Sequence, residues 1–199
     1  MNYPLRLNMG CGRDLREDYL NLDFEPTWGP DVTFDLNQPF FSTGSCKFKT
    51  TRFGEIEIVP GTFELILAYD VLEHLPNLVT AMTSCLQLLR PGGVLDIYVP
   101  YDLSVSAWQD PTHVRAFNEN SWLYYTDDFW RLGWREAKFS LTRYAAVLTE
   151  YGQELQSQGM PLKQIARMPR AISHMKVLLQ KTVLSPEEKN RFNKNTDHM

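Results

Sequence analysis

The chain has 199 residues, of which 43% are hydrophobic, 13% aromatic and 22% charged. This fits one globular domain, since single domains commonly run to roughly 100–200 residues. No apolar run approaches the ~18 residues of a membrane helix, and the N-terminus lacks the basic and apolar regions of a signal peptide. The three cysteines show no CxxC spacing. We therefore predict no disulfide framework, no metal site, no membrane contact and a cytoplasmic protein.

Charge is distributed unevenly along the chain. Residues 1–130 hold 18 acidic and 8 basic residues, whereas residues 131–199 hold 6 acidic and 12 basic ones. The net negative charge of residues 1–130 does not suit a nucleic-acid partner, because phosphates require a basic surface. The basic end either contacts an anion or pairs with the acidic part of the chain, and we favour pairing.

Three short strands are predicted near the N-terminus, where polar and apolar residues alternate at 5–9, 19–24 and 32–36. The first strand runs into the turn Gly10-Cys11-Gly12. The second ends at Asp23 and the third at Asp35. Residues 37–62 have no strong period and several turn formers, so we expect loops and a short hairpin there.

A βαβ unit follows. Residues 63–69 form a mostly apolar run typical of a central strand. Apolar residues at helical spacing over 78–89 predict a helix, which the break at residues 90–93 ends. Residues 94–99 form the next strand, and the right-handed crossover predicts that the two strands are parallel.

Beyond Pro100 the chain is dense in aromatic residues, and 139–148 and 174–184 are candidate closing strands. We expect one domain over residues 1–184. Within it, residues 101–135 and 149–173 are interpreted as substrate-side insertions or a lid. Residues 185–199 form a polar C-terminal tail.

The strand ends predict a nucleoside-type cofactor site, because open parallel sheets bind ligands outside the carboxyl ends of their strands. Glycine at positions 10 and 12 allows a ligand to approach the backbone, and an acid at the end of the second strand can hold both hydroxyls of a ribose. The third glycine of a dinucleotide motif is absent, and Asp23 follows too early to leave room for a full helix. No phosphate-binding GxxxxGK[ST] loop is present either. A cofactor without phosphates therefore fits better.

These residues resemble the class I S-adenosylmethionine-dependent methyltransferases, in particular the compact methyltransferase-11-like group. The matching segments, in the family's order, are LRLNMGCG, YLNLD, FDLNQPF, FELILAYDVLEHL and LLRPGGVLDIYVP. They cover roughly the first half of the chain. One departure is that the family's first helix is reduced here to a few residues after Gly12.

The resemblance implies a Rossmann-like, doubly wound α/β domain with a mostly parallel seven-stranded sheet and an antiparallel last strand. It also implies S-adenosylmethionine as the cofactor. Gly10, Cys11 and Gly12 would lie at its methionine part, and Asp23 would hold the ribose hydroxyls. Taken alone, Cys11 is interpreted as a small packing residue.

Four further residues are implied at the cofactor. Asp35 and Leu36 would meet the adenine edge, and Ala68 and Asp70 would lie near the methionine amino group. A lone aspartate is more often a turn former. The placement of acids after successive strands favours the cofactor role for Asp23 and leaves both interpretations open for Asp35.

The acceptor is expected beside residues 101–115, which follow the fifth strand of the family's order. His113 is the candidate general base, because an imidazole titrates near neutral pH, and Asp110 is a candidate to orient it. Tyr101, Trp108 and Arg115 are predicted acceptor contacts. The alternative is a capped turn with a packed histidine, and the sequence does not choose between them.

These observations predict methyl transfer to an oxygen or nitrogen of a small molecule, such as a sugar or a secondary metabolite. Two alternatives stay open. One is a non-catalytic module that binds S-adenosylmethionine, and the other is an enzyme acting on a protein or peptide.

Overall fold

The computed structural model describes residues 2–189 and contains a seven-stranded sheet. Its strands are β1 (Arg6–Met9), β2 (Leu20–Asp23), β3 (Val32–Thr33), β6 (Phe63–Tyr69), β7 (Leu89–Pro100), β8 (Ala137–Leu148) and β9 (Ile172–Val183). A separate antiparallel hairpin consists of β4 (Cys46–Thr50) and β5 (Gly54–Ile58). The hairpin predicted within residues 37–62 is confirmed.

The strand order is β3-β2-β1-β6-β7-β9-β8. The first five strands in this order are mutually parallel, and β9 is antiparallel to both of its neighbours. The predicted fold class is confirmed, including the antiparallel last strand. The order reverses at β1, where the chain first proceeds to β2 on one side and later returns to β6 on the other. Such switch points are where open α/β sheets bind ligands.

The helices include α1 (Leu78–Leu88), α2 (Ser106–Gln109), α3 (Leu123–Thr126), α4 (Glu150–Ser157) and α5 (Leu162–Ile165). The predicted amphipathic helix is α1. It buries apolar residues at intervals of three and four, namely Leu78, Ala81, Met82, Cys85 and Leu88. This spacing places them on one face, and Cys85 Sγ lies 3.6 Å from Met9 Sδ of β1. The helix thus covers the sheet beside the switch point.

Two strand boundaries differ from the prediction. β3 ends at Thr33 rather than at 36, because the side chain of Asp35 accepts hydrogen bonds from Asn37 and turns the chain. β7 begins at Leu89, immediately after α1. Leu89 pairs with Phe63, and an irregularity before the next pair accommodates residues 90–93.

The connection between β1 and β2 contains no helix, and residues 10–19 form turns instead. The buried Asn8 donates through Nδ2 to Asp14 O at 2.7 Å and to Asn21 Oδ1 at 3.1 Å. Asn21 Oδ1 also accepts from Arg16 N at 2.9 Å. These amide side chains supply the hydrogen bonds that a helix would otherwise make, so the loop is held close to the sheet.

A buried ion pair attaches the β4–β5 hairpin to the sheet. Asp31 lies just before β3, and its carboxylate accepts from Arg52 Nε and Nη2 at 2.7 Å each. It also accepts from Asn21 N at 2.8 Å. Burial alone would raise the pKa of Asp31, but the bonds from Arg52 and Asn21 and the charge of Arg52 lower it overall.

The two segments interpreted as insertions or a lid contact each other. The hydroxyl oxygen of Tyr101, at the start of residues 101–135, lies 3.1 Å from Ala166 O, within residues 149–173. Whether they act as a lid stays a prediction, as do the domain boundaries. No helix among residues 2–189 is long and apolar enough to cross a membrane.

The tail is described only in its first residues. Glu188 forms an ion pair with Lys138 of β8 at 2.9 Å, and Lys189 pairs with Glu136. Residues 185–189 are therefore attached to the domain by side-chain charges. Residues 190–199 of the predicted tail lie outside the described part of the chain.

Candidate active site

A cavity of about 680 Å³ opens at the switch point, outside the carboxyl ends of β1, β2 and β6. Its volume lies within the roughly 300–1,000 Å³ of small-molecule sites. Six of the eight predicted cofactor residues line it, namely Gly10, Gly12, Asp23, Asp35, Leu36 and Asp70. Cys11 and Ala68 do not, because both side chains are buried in the protein interior.

The glycine turn forms the floor where β1 ends. Gly10 has φ +65, and a Cβ placed on it would meet the methyl carbons of Val71 at 2.4 and 2.8 Å. Gly12 has φ +50, and the nearest atoms to its Cβ position belong to the Trp28 ring at 3.9 Å. The first glycine is thus required by packing and backbone conformation, and the second by conformation alone. Between them, Cys11 N donates to Leu22 O at 3.0 Å and fixes the turn to β2.

Asp23 is the last residue of β2, and its buried carboxylate joins two loops. Its Oδ2 accepts from Gly12 N at 2.8 Å, and its Oδ1 accepts from Glu25 N at 3.0 Å. Each carboxylate oxygen can accept more than one hydrogen bond. Asp23 is therefore held rigidly at the cavity while it retains capacity for a ligand's hydroxyl groups.

Aromatic side chains form the cavity wall next to Asp23. Phe24 and Trp28 lie edge to face with ring centroids 6.4 Å apart, and Phe34 lines the cavity with Leu36. Phe24 is 67% exposed, which is unusual for a large apolar side chain. Phe24, Trp28 and Phe34 were not among the site residues predicted from the sequence. The available signal was aromatic residues immediately after the acid at the end of β2.

Asp70 follows β6 directly and is in the left-handed region, with φ 53. Its amide donates to Tyr98 O at 2.9 Å, and its Oδ1 lies 3.8 Å from His174 Nε2. Burial raises the pKa of Asp70, although the nearby histidines oppose this. A non-glycine residue held at positive φ is uncommon and often occurs at a functional position.

The side of the cavity away from the aromatic wall carries His74 and Thr112. Thr112 Oγ1 donates to Asp110 Oδ1 at 2.7 Å and lies 2.9 Å from His74 Nδ1. Because the single hydroxyl proton goes to the carboxylate, Thr112 Oγ1 accepts from His74 Nδ1–H. This leaves His74 Nε2 as the nitrogen with a free lone pair.

His113 lies behind His74 and does not itself line the cavity. The two rings are edge to face, with centroids 4.6 Å apart. His113 Nδ1 is 3.1 Å from Ala107 O, which can only accept, so Nδ1 carries the proton and Nε2 is free. Asp110 Oδ2 lies 4.0 Å from His113 Nε2. The carbonyl of Ala107, rather than Asp110, therefore makes the hydrogen bond that orients the ring.

Glu73 precedes His74 and is almost completely buried, with 1% of its surface exposed. Neither of its carboxylate oxygens has a hydrogen-bond partner among the described residues. Burial raises the pKa of Glu73 to about 7, the residue's own backbone N–H opposes this, and the charges of Asp70 and Asp110 raise the pKa further. A buried carboxyl group without a partner is costly.

The predicted acceptor residues Tyr101, Trp108 and Arg115 do not line the cavity. The buried Tyr101 donates to Glu119 at 2.8 Å, and burial raises the pKa of its hydroxyl. Trp108 is 65% exposed and donates through Nε1 to Asp102 O. Arg115 donates to the carbonyls of residues 75 and 76 at 2.7 and 2.8 Å. The structure does not bring these side chains to the candidate site.

Comparison with known proteins gives a match over part of the chain. Residues 7–97, which are 91 of the 199 residues, match the family model described as a methyltransferase domain. The matched residues contain the glycine turn, Asp23 and Asp70. A search of curated protein sequences found no match.

Solved structures similar to this chain share its fold. The S-adenosylmethionine-dependent methyltransferase of Archaeoglobus fulgidus has a TM-score of 0.54 and 14% identity, covering 88% of this chain and 85% of that one. The corresponding protein of Mesorhizobium loti has a TM-score of 0.52 and 14% identity, with 88% and 90% covered. The [4+2]-cyclase SpnF has a TM-score of 0.55 and 13% identity, with 92% and 78% covered. At such identities the likeness concerns the fold.

Proposed function

We propose that the chain is a class I S-adenosylmethionine-dependent methyltransferase, which transfers the methyl group of S-adenosylmethionine to an oxygen or nitrogen of a small molecule, such as a sugar or a secondary metabolite. The observation that carries this proposal is the single cavity joining Gly10, Gly12, Asp23 and Asp70 at the switch point. Its dimensions suit a nucleoside cofactor with room for a small acceptor.

The cofactor would lie across the ends of β1, β2 and β6. Its methionine part would contact the backbone of Gly10 and Gly12, near Ala68 and Asp70. Its ribose hydroxyls would donate to Asp23, whose oxygens retain free lone pairs. The acidic side chains also favour the positive sulfonium in a partly desolvated cavity.

The adenine would occupy the part of the cavity lined by Asp35 and Leu36. Phe34 and Trp28 offer ring faces and edges to a planar base. Cys11 would contribute only through its backbone, because its side chain is buried. The role of Asp35 has less support, since its Oδ1 already accepts two bonds from Asn37.

The acceptor would enter on the side of His74 and Thr112. In the reaction the nucleophilic atom forms a bond to the methyl carbon while the bond from that carbon to the sulfonium breaks. S-adenosylhomocysteine leaves as a neutral thioether. The nucleophile must also lose a proton, and His113 Nε2 is our candidate to accept it, which requires the His74 side chain between it and the cavity to move aside. Asp110 would then stabilise the imidazolium from 4.0 Å.

Acceptor contacts at Tyr101, Trp108 and Arg115 remain predictions that require movement of residues 101–135. A small-molecule acceptor is favoured over nucleic acid by the acidic charge of residues 1–130. A cyclase shares the fold, and a fold alone does not fix the reaction. A non-catalytic module and a protein or peptide acceptor are therefore the alternatives to test.

Titration calorimetry with S-adenosylmethionine tests the cofactor site. Asp23→Ala should weaken binding by about 10- to 100-fold, since hydrogen bonds to charged groups are worth about 1.5–3 kcal/mol. Asp14→Ala is the matched control, because Asp14 is an exposed acid of the same loop, paired with Arg16. Equal affinities for Asp23→Ala and the wild type would contradict the assignment.

Mass spectrometry of reaction mixtures tests catalysis. The wild type, incubated with S-adenosylmethionine and panels of sugars, phenols, amines and peptides, should add one methyl group to a small molecule. Methylation of peptides alone would favour the protein-acceptor alternative. Cofactor binding without any methylated product across the panels would favour the non-catalytic one.

A further inference from the structure

Three potential metal ligands converge beside the cavity. One ring nitrogen each of His74 and His113 and one carboxylate oxygen of Glu73 all lie within 4.8 Å of one another. Glu73 and His74 are neighbours in the short helical turn Leu72–His74. His113 is brought to them by the backbone bond from Val114 N to Glu73 O, 2.9 Å long. We propose that Glu73, His74 and His113 bind a divalent transition-metal ion.

The unpartnered carboxylate of Glu73 is the first argument for this site. Both of its oxygens are buried and lack hydrogen-bond partners among residues 2–189. Buried charges are generally paired or coordinate a metal, and a cation would satisfy Glu73. Asp70 and Asp110 lie close enough to affect the pKa of Glu73, so the surroundings are acidic and attract a cation.

The hydrogen bonds of both histidines are the second argument. His113 Nδ1–H donates to Ala107 O, and His74 Nδ1–H donates to Thr112 Oγ1, which itself donates to Asp110. In the neutral form of each ring, Nε2 is then the nitrogen available to a metal ion. Metal-binding histidines characteristically donate their other N–H to a carbonyl or to a group linked to a carboxylate. The chain provides both types of partner here.

The ligand set defines the class of ion. Two imidazoles and one carboxylate suit Zn²⁺ and related first-row ions, and three protein ligands leave coordination positions open. Bonds of about 2.1 Å in a tetrahedral site place ligand atoms about 3.4 Å apart. The three side chains therefore need to approach by at most about 1.4 Å, which side-chain rotation can supply.

The open position faces the cavity, because His74 lines it. An ion there would coordinate a hydroxyl oxygen of the acceptor and lower its pKa. This role rests on the proposed methyl transfer, although the site itself does not. With the ion bound, the lone pair of His113 Nε2 is used in coordination. The ion then replaces His113 as the group that promotes loss of the acceptor's proton.

Cobalt provides a test with a readout independent of activity. The untagged full chain, freed of metal by a chelator, is titrated with Co²⁺ and followed by visible d–d absorption. We expect one equivalent to bind with bands of a low-coordinate nitrogen and oxygen site, and we expect Zn²⁺ to displace it. No Co²⁺ band, or a band with thiolate charge-transfer character, would overturn the proposal.

Variants localise the ion. Glu73→Gln preserves volume, and it should weaken Co²⁺ binding by at least about 10-fold, as should His113→Ala. Thr112→Val keeps all three proposed ligands, removes the partner of His74 together with the bond to Asp110, and should weaken binding by about 10- to 100-fold. Because Thr112 is exposed, this variant should fold even where Glu73→Gln does not. His174→Ala is the matched control and should bind Co²⁺ as the wild type does.

Equal Co²⁺ binding by the wild type, Thr112→Val and His113→Ala would refute the site. A parallel titration of the wild type with S-adenosylmethionine keeps the two proposals separate. Cofactor binding without Co²⁺ binding overturns the metal site and leaves the proposed function intact. Co²⁺ binding without cofactor binding supports the metal site and contradicts the proposed cofactor site.

Discussion

Gly12 N donates a 2.8 Å hydrogen bond to Asp23 Oδ2, and this bond joins the glycine turn after β1 to the end of β2. Two residues predicted to contact different parts of one cofactor are thus linked before any ligand binds. A carboxylate oriented in advance loses less freedom on binding than a mobile one. The loop and the acid therefore form a single preorganised unit.

The two glycines of the turn should differ in their tolerance of alanine. Gly10→Ala introduces a Cβ at 2.4 Å from a Val71 methyl, in addition to strain at φ +65. We expect a loss of about 2–4 kcal/mol in unfolding free energy. Gly12→Ala meets no atom closer than 3.9 Å, so it should lose about 1–2 kcal/mol. Urea unfolding of both variants measures the difference.

Val71→Ala provides a rescue for the Gly10 variant. It removes both clashing methyl carbons and leaves Val71 Cβ at 3.2 Å from the new atom. The double variant should therefore lose less stability than the sum of the two single changes. Strict additivity would show that the clash is not the cause.

Trp28 should contribute to cofactor affinity through its ring. It lines the cavity beside Asp23, and aromatic contacts are worth about 0.5–1.5 kcal/mol. Trp28→Ala should weaken binding of S-adenosylmethionine by about 2- to 10-fold in calorimetry. Trp108→Ala is the control, since Trp108 is 65% exposed and does not line the cavity. Equal effects of the two changes would argue against an adenine beside Trp28.

The Arg52–Asp31 pair should stabilise the fold. Arg52→Ala leaves a carboxylate that is 2% exposed without its cation. We expect a loss of about 2–3 kcal/mol, below the 3–5 kcal/mol of fully buried pairs because Arg52 is 35% exposed. Arg90→Ala breaks an exposed pair with Glu64 and should cost at most about 1 kcal/mol. Similar losses in chemical denaturation would contradict this ranking.

The same pair predicts a dependence of stability on pH. The pKa of Asp31 is lowered in the folded state, so its contribution is present above the unfolded pKa of about 3.9. That contribution to stability is lost as the pH falls through the lower pKa that Asp31 has in the folded state. Wild-type stability should therefore decline from about pH 5 to about pH 2 more steeply than that of Asp31→Asn. Plots of unfolding free energy against pH that run parallel for the wild type and Asp31→Asn would contradict the prediction.

Periodicity in the sequence predicted the part of the fold that has long, regular elements. β6 spans Phe63–Tyr69 as predicted, because a strand buried on both faces has a continuous apolar run. α2, α3 and α5 were not predicted, since helices of four residues are too short to show a helical period. Their positions depend on tertiary contacts.

The cofactor side of the site was predictable for a similar reason. Asp23 and Asp70 follow strands, and strand ends of a parallel sheet meet at one edge. The acceptor side of the site was not predictable. Thr112 reaches the cavity from a loop, and the path of that loop depends on contacts distant in sequence. Ala107 O fixes His113 through such a loop contact. The alternation of polar and apolar residues along the sequence does not predict this contact.

A crystal structure of the chain with S-adenosylhomocysteine bound tests the central claim most directly. We predict the adenosine part beside Trp28 and Leu36, both ribose hydroxyls on the Asp23 carboxylate, and the homocysteine part over Gly10 and Gly12. A ligand bound elsewhere on the protein, or a ribose that makes no contact with Asp23, would contradict the account.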